Sequence, residues 1–282
     1  MKTTSRLLYQ KVKRYLKKNY SVEEIGSITY LILEDIFGLE RKGILLNQNI
    51  TTTDSQEKEL SDMIIRLQKH EPIQYILGST EFYGRRFSLD PSVLIPRPET
   101  EELVQMVIKE NQTPSPKVLD IGTGSGCIAV TLQLELAAQV IACDTATEAL
   151  TMATRNASSL GAKVKFLTCD ILQQQPEIPP LDIIVSNPPY VTEGEKHQMD
   201  ANVLDYEPPH ALFVSDQDPL VFYTRIADLS RDLLKPGGKL YFEINERFGG
   251  KIKDLLHNFG YRHIEVNKDL HGKDRFAKAV WG

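Results

Sequence analysis

An apolar run passes directly into a glycine-rich turn at Lys117-Val118-Leu119-Asp120-Ile121-Gly122-Thr123-Gly124-Ser125-Gly126. The residues up to Ile121 predict a short buried strand, and the pattern that follows predicts a helix from about Ser125. Glycines in such a turn let the backbone approach a ligand closely and place that ligand at the N-terminus of the helix. The stretch therefore predicts the first strand–turn–helix unit of an α/β sheet, with a ligand site at the turn.

Strands and helices continue to alternate after this turn. Further short apolar strands, with helical periodicity between them, are predicted at residues 139–144, 164–168, 183–186 and 239–243. Apolar strands separated by helices indicate a parallel sheet covered on both faces. Two final runs, 261–266 and 276–281, are joined by a loop too short for a crossover helix, so we expect them to pair antiparallel.

The first part of the chain has helical periodicity instead. A capping-box sequence at residues 21–24 precedes one apolar stripe, and Gly38 is expected to end that helix. The predicted buried faces of three helices are Leu7, Leu8, Val12, Leu16; Val22, Ile25, Ile28, Ile32, Ile36; and Leu60, Met63, Ile64, Leu67. Short amphipathic helices are stable only when they pack on each other, so we expect a helical bundle.

The chain is therefore divided into three predicted parts. Residues 1–77 form the helical bundle and residues 78–98 form a β-hairpin linker, in which aromatic residues surround Gly84. Residues 99–282 form the α/β domain. Pro96 and Pro98 enforce an extended path between the hairpin and the first helix of that domain.

Composition narrows the class of protein. The chain has 282 residues, 41% of them hydrophobic, and its net charge is -5. Proteins that bind long nucleic acid usually carry an excess of basic residues, and this chain does not.

The cysteines, the histidines and the N-terminal segment exclude further classes of site. Cys127, Cys143 and Cys169 lie in or beside apolar runs and predict buried thiols rather than a disulfide framework. The histidines show no metal-ligand spacing, so we predict no metal. Without a run of about 18 apolar residues we predict no membrane partner. Lysines interrupt the N-terminal segment, which excludes a signal peptide and predicts a cytoplasmic protein.

Acidic residues follow the second and third predicted strands. Asp144 is placed to accept hydrogen bonds from ribose hydroxyls, and Asp170 could accept the amine of an adenine that packs against Ile171. A dinucleotide and S-adenosylmethionine both fit this arrangement. The turn reads G-x-G-x-G rather than the dinucleotide pattern G-x-G-x-x-G, and a positive sulfonium tolerates an acid such as Asp120. The sequence therefore favours a methyl donor.

The motif Asn187-Pro188-Pro189-Tyr190 follows the fourth predicted strand and belongs to the same sheet edge. Two prolines cannot extend a ladder, because neither has an N–H and both fix φ. They hold the Pro188 carbonyl and the Asn187 side chain at the strand end, beside the aromatic face of Tyr190. This arrangement suits a planar group that carries an NH2, either the amine of a base or a side-chain amide.

Several stretches together resemble the release-factor glutamine methyltransferases, the HemK/PrmC family. They are residues 73–78, 82–84, 94–101, 120–126, 187–190, 207–208, 211–212 and 269–275. The resemblance implies a Rossmann-like S-adenosylmethionine-dependent methyltransferase domain with a mostly parallel sheet and an antiparallel C-terminal strand. It also implies transfer of a methyl group to the side-chain amide nitrogen (N5) of a glutamine, leaving S-adenosylhomocysteine. The glutamine is that of the Gly-Gly-Gln motif in class 1 peptide-chain release factors, which are the implied partners. Separately, we expect a monomer.

The resemblance also implies roles for individual residues. Those implied to line the cofactor are Gly122, Thr123, Gly124, Ser125, Gly126, Asp144, Asp170, Ile171 and Asn187. Those implied to hold the substrate glutamine are Asn187, Pro188, Pro189 and Tyr190, and of these Asn187, Pro188 and Tyr190 are the catalytic candidates. No residue is assigned as general base. The chain departs from the family where Asn245 and Phe248 follow the fifth strand. Arg97 either lines the pocket entrance or braces the hairpin.

Three other functions compete with this interpretation. An adenine-N6 methyltransferase uses the same grip on a flipped base, but the negative net charge and the absence of a large target-recognition region argue against it. A non-catalytic protein that binds adenosyl ligands or translation factors has no need of the amide grip. A nicotinamide dehydrogenase fits the short glycine turn least well. No stable nucleic-acid partner is expected.

Overall fold

The computed structural model describes residues 2–282, which form two compact units. One unit contains the residues up to Gly78 together with Asp200–Tyr206, and the other contains Ser79–Met199 and Glu207–Gly282.

The first unit is mainly helical and packs around one apolar core. Its elements before Gly78 are β1 (Lys2–Thr4), α1 (Ser5–Leu16), α2 (Val22–Phe37), α3 (Arg41–Leu45), β2 (Asn49–Thr51), α4 (Asp54–Leu67) and α5 (Ile73–Leu77). The capping box before α2 is confirmed, since Ser21 and Glu24 exchange side-chain and backbone hydrogen bonds. Gly38 ends α2 in the left-handed conformation, at φ 63°.

Two of the predicted core positions in this unit are wrong. Leu7 is 62% exposed and Val22 is 71% exposed, while the other residues of the predicted stripes are buried. Neighbouring helical residues point about 100° apart, and the buried face of α1 is defined by Leu8, Val12 and Leu16 at a spacing of four residues, so Leu7 lies outside that face. Val22 is the first residue of α2, one turn before the buried stripe begins at Ile25.

The second unit holds the predicted hairpin and α/β sheet. Its elements, with the one short helix that groups with the first unit (α9), are β3 (Ser79–Phe82), β4 (Arg85–Ser88), α6 (Pro98–Glu110), β5 (Lys117–Ile121), α7 (Cys127–Leu136), β6 (Gln139–Asp144), α8 (Thr147–Leu160), β7 (Val164–Thr168), β8 (Leu181–Ser186), β9 (Val191–Thr192), α9 (Ala201–Tyr206), β10 (Phe213–Val214), α10 (Val221–Leu233), β11 (Leu234–Glu243), α11 (Gly249–Asn258), β12 (Arg262–Lys268) and β13 (Asp274–Val280). Two 3-10 helices lie at Glu193–Gln198 and Pro209–Ala211.

The central sheet has seven strands in the order β12-β13-β11-β8-β5-β6-β7. Pairing is parallel throughout except around β13, which is antiparallel to both neighbours, as the final pair of runs predicted. The chain leaves β5 towards β6 and β7 and then returns to β8 on the other side of β5. Ligands bind in open α/β sheets outside the carboxyl ends of the strands at such a reversal of direction.

Two local boundaries differ from the sequence prediction. Helix α7 starts at Cys127 rather than near Ser125, because Gly126 has φ 81°, outside the helical region. Strand β11 starts at Leu234 rather than at residue 239, with a shift in its register against β8 between Leu234 and Lys239. The sequence Pro236-Gly237-Gly238 forms this irregular part, and Pro and Gly are typical of bulged strands.

The core of the second unit lies on both faces of the sheet. One apolar cluster includes Leu119, Ile184 and Phe242, and the other includes Val118, Ile183 and Tyr241. These strand neighbours alternate between the faces as the two-residue period requires. Within the described residues all three cysteines are buried and unpaired, which confirms the prediction of buried thiols.

Candidate functional site

The carboxyl ends of β5 and β8 meet side by side. Ile121 pairs with Ser186 in the parallel ladder, and the Ser186 hydroxyl donates to the Ile121 carbonyl at 2.7 Å. Strand β8 ends at Ser186 because the prolines that follow Asn187 supply no ladder N–H. The glycine turn and the Asn187 motif therefore leave the sheet from adjacent positions.

The glycine turn is shaped by backbone conformations that favour glycine. Gly122, Gly124 and Gly126 all have positive φ, at 74°, 53° and 81°. A Cβ on Gly126 would lie 3.0 Å from the Cβ of Ala153 on α8, so this glycine also permits close helix packing. Asp144 accepts the N–H of Gly124 at 2.9 Å, which fixes the turn against the end of β6.

A cavity that is partly open to solvent lies at this edge of the sheet. Its mainly apolar lining with a few polar groups is typical of a small-molecule site. It brings together most of the predicted site residues, namely Gly122, Gly124, Asp144, Asp170, Ile171, Asn187, Pro188 and Pro189. Other lining residues were not predicted from the sequence, and they include Ser92, Val93, His210, Ala211 and Phe222. Of these, Ala211 belongs to the stretches that resemble the family, and His210 directly precedes it.

The other predicted cofactor residues lie behind the turn rather than on the cavity wall. Thr123 donates to Asp120 at 2.6 Å, and the Ser125 carbonyl accepts from Asn156 of α8 at 2.9 Å. Both side chains are buried, as is the contact between Gly126 and Ala153. These residues support the shape of the turn.

Asp120 carries an unpaired oxygen in this buried setting. Among the described residues its Oδ1 has no hydrogen-bond partner, while Oδ2 accepts from Thr123. Burial raises the pKa of Asp120 to about 7, and the nearby charge of Asp144 adds to this effect. In its ionised form this acid disfavours a pyrophosphate and favours a cation in the cavity, and a bound cation would in turn favour its ionisation. The residues present therefore fit a sulfonium cofactor.

Two aspartates of the cavity are held by backbone N–H groups. Asp144 accepts from Ala146 at 3.0 Å as well as from Gly124, and Asp170 accepts from the N–H of Leu172 at 3.0 Å. Each carboxylate oxygen has a second lone pair for a ligand hydroxyl or amine. Their orientation is thus fixed in advance of binding.

The Asn187 side chain begins a chain of hydrogen bonds through a buried acid. Its Nδ2 donates to the Thr100 hydroxyl at 3.2 Å, and Thr100 donates to Glu243 Oε2 at 2.7 Å. Tyr190 donates to the other oxygen, Oε1, at 3.0 Å. The Tyr190 ring is partly exposed, but its hydroxyl is directed inward to Glu243.

The buried setting shifts the titration of this group of side chains. Desolvation raises the pKa of Glu243, although its hydrogen bonds from Thr100 and Tyr190 and the charge of Arg275 act in the opposite direction. Burial and the charge of Glu243 raise the pKa of Tyr190, which therefore stays protonated as a donor. The sequence analysis assigned no role to Thr100 or Glu243. The position of Glu243 at the carboxyl end of β11 was the signal that could have found it.

Asn245, where the sequence departs from the family pattern, forms hydrogen bonds to two other segments. Its Nδ2 donates to the Tyr190 carbonyl at 3.2 Å and to Glu195 Oε2 at 3.0 Å. Glu195 also accepts the N–H of Thr192 at 2.9 Å. Phe248 is buried in the core at the start of α11. Asn245 thus ties the segment after the Asn187 motif to the end of β11.

Arg97 does not line this cavity. It forms an ion pair at 2.6 Å with Glu207, whose side chain is 1% exposed and which also accepts the N–H of Ile95 at 3.3 Å. Arg97 therefore braces the extended segment before α6 against the segment at Glu207. Glu101, rather than Arg97, contacts the hairpin turn, where it accepts the N–H of Tyr83 at 3.0 Å.

Two further features bear on the chemistry. Across residues 2–282, no group of three or more His, Cys, Asp or Glu side chains has a metal-binding arrangement. In the same range no helix combines the length and apolar character needed to cross a membrane.

Comparisons with known proteins agree with this architecture. The family model "PrmC N-terminal domain" matches residues 8–78, and "Methyltransferase small domain" matches residues 99–212. The chain is similar to a protein of Bacteroides thetaiotaomicron named release factor glutamine methyltransferase, with 48% identity over 95% of this chain and 97% of that one. A protein of the same name from Flavobacterium psychrophilum is 42% identical over 92% of this chain and 93% of that one.

Solved structures share the fold at lower identity. A methyltransferase from Pyrococcus furiosus has a TM-score of 0.55 at 21% identity, covering 79% of this chain and 99% of that one. A 16S rRNA methyltransferase from T. thermophilus, solved with AdoMet and guanosine, has a TM-score of 0.55 at 18% identity, covering 72% of this chain and 50% of that one. These likenesses support a Rossmann-like methyltransferase fold.

Proposed function

The chain belongs to the release factor glutamine methyltransferase family, a family of S-adenosylmethionine-dependent enzymes, and from this we propose its reaction. It transfers a methyl group from S-adenosylmethionine to N5 of the glutamine in the Gly-Gly-Gln motif of class 1 release factors. The observation that carries the proposal is that Asn187 and Pro188 line the same cavity as the glycine turn and Asp144. The residues proposed to bind the substrate amide and those proposed to bind the cofactor therefore line one continuous cavity.

The cofactor is held by the turn and by the ends of β6 and β7. Gly122 and Gly124 provide backbone at close approach, Asp144 accepts from the ribose hydroxyls, and Asp170 with Ile171 holds the adenine. S-adenosylmethionine supplies an electrophilic methyl group when it is bound. Asp120, buried behind the turn, favours this positively charged ligand.

Asn187 and Pro188 address the weak nucleophilicity of an amide nitrogen. Its lone pair is delocalised into the carbonyl, as the peptide rotation barrier of roughly 18–20 kcal/mol shows. The Asn187 Oδ1 and the Pro188 carbonyl each accept one N–H of the substrate amide. Because positive charge grows on nitrogen as the new bond forms, both hydrogen bonds strengthen in the transition state.

Tyr190 completes the acceptor site. Its hydroxyl donates to Glu243, and the residue is partly exposed and directly follows Pro189, which lines the cavity. The ring packs on the plane of the substrate amide and excludes water. The bond from the sulfonium sulfur to the methyl carbon breaks as the bond from nitrogen to that carbon forms, the nitrogen then loses one proton to water, and S-adenosylhomocysteine is the second product.

The first unit is proposed to dock the release factor. Support comes from the match of residues 8–78 to a family model of their own, which is separate from the model that matches the methyltransferase domain. We propose a cytoplasmic monomer that forms no stable complex with nucleic acid, in line with the net charge of -5.

The proposal is tested by incubating the protein with labelled S-adenosylmethionine and either a class 1 release factor or adenine-containing DNA. We expect label in the release factor alone, with mass spectrometry placing the methyl group on the glutamine of the Gly-Gly-Gln peptide. Label in DNA alone would instead indicate an adenine methyltransferase.

A further inference from the structure

We propose that Glu243, acting through Thr100, is a positioning residue that fixes which way the Asn187 side-chain amide faces, and that turnover requires Glu243 in its ionised form. The inference rests on the proposed function, because it concerns the group that accepts from the substrate amide. It adds two residues that the acceptor motif does not contain.

The direction of each hydrogen bond follows from what the groups can donate. An ionised carboxylate only accepts, and Glu243 Oε2 lies 2.7 Å from the Thr100 hydroxyl, so the one hydroxyl hydrogen points to Glu243. Thr100 can then only accept at its other side, where Asn187 Nδ2 lies at 3.2 Å. Asn187 must therefore present its NH2 to Thr100, which leaves Oδ1 for the substrate.

The alternative amide orientation would oppose the reaction. A side-chain amide can rotate by 180° and occupy the same space with oxygen and nitrogen exchanged. Asn187 would then present NH2 to the NH2 of the acceptor glutamine, which places donor against donor. A protonated Glu243 can itself donate to Thr100, whose hydroxyl can then donate to Asn187. Protonation therefore removes the constraint that keeps Oδ1 facing the acceptor.

Charged and polar groups around Glu243 act on its protonation state. Arg275 of β13 faces Glu243 and favours its charged form, while Glu99 of α6 opposes it. Tyr190 donates to its second oxygen, and Tyr223 of α10 donates to its main-chain carbonyl at 3.1 Å. Burial is the largest effect and raises the pKa of Glu243. A loss of activity on acidification should therefore occur above the pH at which an exposed glutamate titrates.

The hydroxyl of Thr100 is tested with a matched pair of variants. In Thr100→Val, which removes the hydroxyl at nearly constant volume, we expect kcat for methylation of the release factor to fall about tenfold, the value of one lost hydrogen bond of about 1.4 kcal/mol. Thr100→Ser keeps the hydroxyl and should keep kcat within about twofold. Calorimetry should show that cofactor affinity is unchanged in both. Wild-type turnover in Thr100→Val, or equal loss in both variants, would overturn the role of the hydroxyl.

The role of Glu243 is tested by Glu243→Gln and by the double variant with Thr100→Val. If the two residues act as one unit, the double variant is no slower than the slower single variant. The wild-type kcat should fall as pH drops through the pKa of Glu243, and Glu243→Gln should be slow with no such fall. Losses that multiply in the double variant, or an acid limb that persists in Glu243→Gln, would contradict the inference.

A spectroscopic measurement separates this inference from the proposed function. In 15N-labelled protein saturated with S-adenosylhomocysteine, the Asn187 side-chain amide resonance is assigned by its loss in Asn187→Ala. It should titrate in the wild-type protein and not in Glu243→Gln. If it titrates but no release factor is methylated, the proposed function is wrong and the coupling of Glu243 to Asn187 stands. If methylation occurs and the resonance does not titrate, the coupling is overturned.

Discussion

Truncation of Asn187 to alanine removes an acceptor from the proposed transition state while leaving the cofactor cavity almost intact. The side chain is half buried and, within residues 2–282, forms one hydrogen bond, to Thr100 at 3.2 Å. Its loss should lower the free energy of unfolding by only about 1 kcal/mol. The missing acceptor should raise the activation free energy by about 3 kcal/mol, which slows methyl transfer about a hundredfold.

Single-turnover methylation of a release factor, with saturating S-adenosylmethionine, measures this effect on the chemical step. Calorimetry should show most of the cofactor affinity retained, because the turn, Asp144 and Asp170 are unchanged. Asn267→Ala is a matched control, since Asn267 is also half buried and, in the part of the chain that the structure describes, its side chain has a single long hydrogen bond, at 3.9 Å to Met106 Sδ. It lies on β12 and outside the cavity, so its rate should equal that of the wild type. A near-normal rate in Asn187→Ala would refute the proposed acceptor.

Further substitutions test the cofactor site and its supports. Asp144→Ala should weaken S-adenosylmethionine binding at least tenfold by calorimetry, and an unchanged dissociation constant would refute the ribose assignment. Gly126→Ala should cost about 1–3 kcal/mol in urea unfolding, because φ is 81° and the new Cβ would lie 3.0 Å from Ala153; a stable variant would show that the turn tolerates a side chain. Asn245→Gly should lower both the melting temperature and kcat, whereas an unaltered kcat would show that its hydrogen bonds do not support the acceptor site. The pKa of Asp120 is raised to about 7 in the folded protein, so its ionisation destabilises the ligand-free protein as the pH rises from about 4 to 7. Asp120→Asn should therefore raise the free energy of unfolding at pH 8 by up to a few kcal/mol. A variant that is less stable than the wild type at pH 8 would contradict this sign.

The sequence was informative wherever the determinant was local. The structure agrees with the predictions of the glycine turn, of the strands Gln139–Asp144 and Val164–Thr168, and of the end of β8 at Ser186. Each of these features depends on neighbouring residues. The sheet edge that gathers the cavity residues followed from alternating strands and helices. General rules for α/β sheets then placed Asp144 and Asn187 near each other.

The parts that the sequence missed depend on contacts between distant residues. Thr100 meets Glu243 across 143 positions, and Asn187 lies 87 positions from Thr100, so no periodicity relates them. The exposure of Leu7 depends on which of two adjacent leucines faces the other helices. The grouping of Asp200–Tyr206 with the first unit likewise depends on tertiary contacts rather than on sequence order.

The most direct test of the account locates the methyl group on a class 1 release factor after reaction with this protein and S-adenosylmethionine. Tandem mass spectrometry of the Gly-Gly-Gln peptide should place one additional methyl group on the side-chain nitrogen of the glutamine. Wild-type protein should produce this product, and Asn187→Ala should produce about a hundredfold less in the same time. An unmodified glutamine with wild-type protein, or a methyl group on another residue, would contradict the central claim.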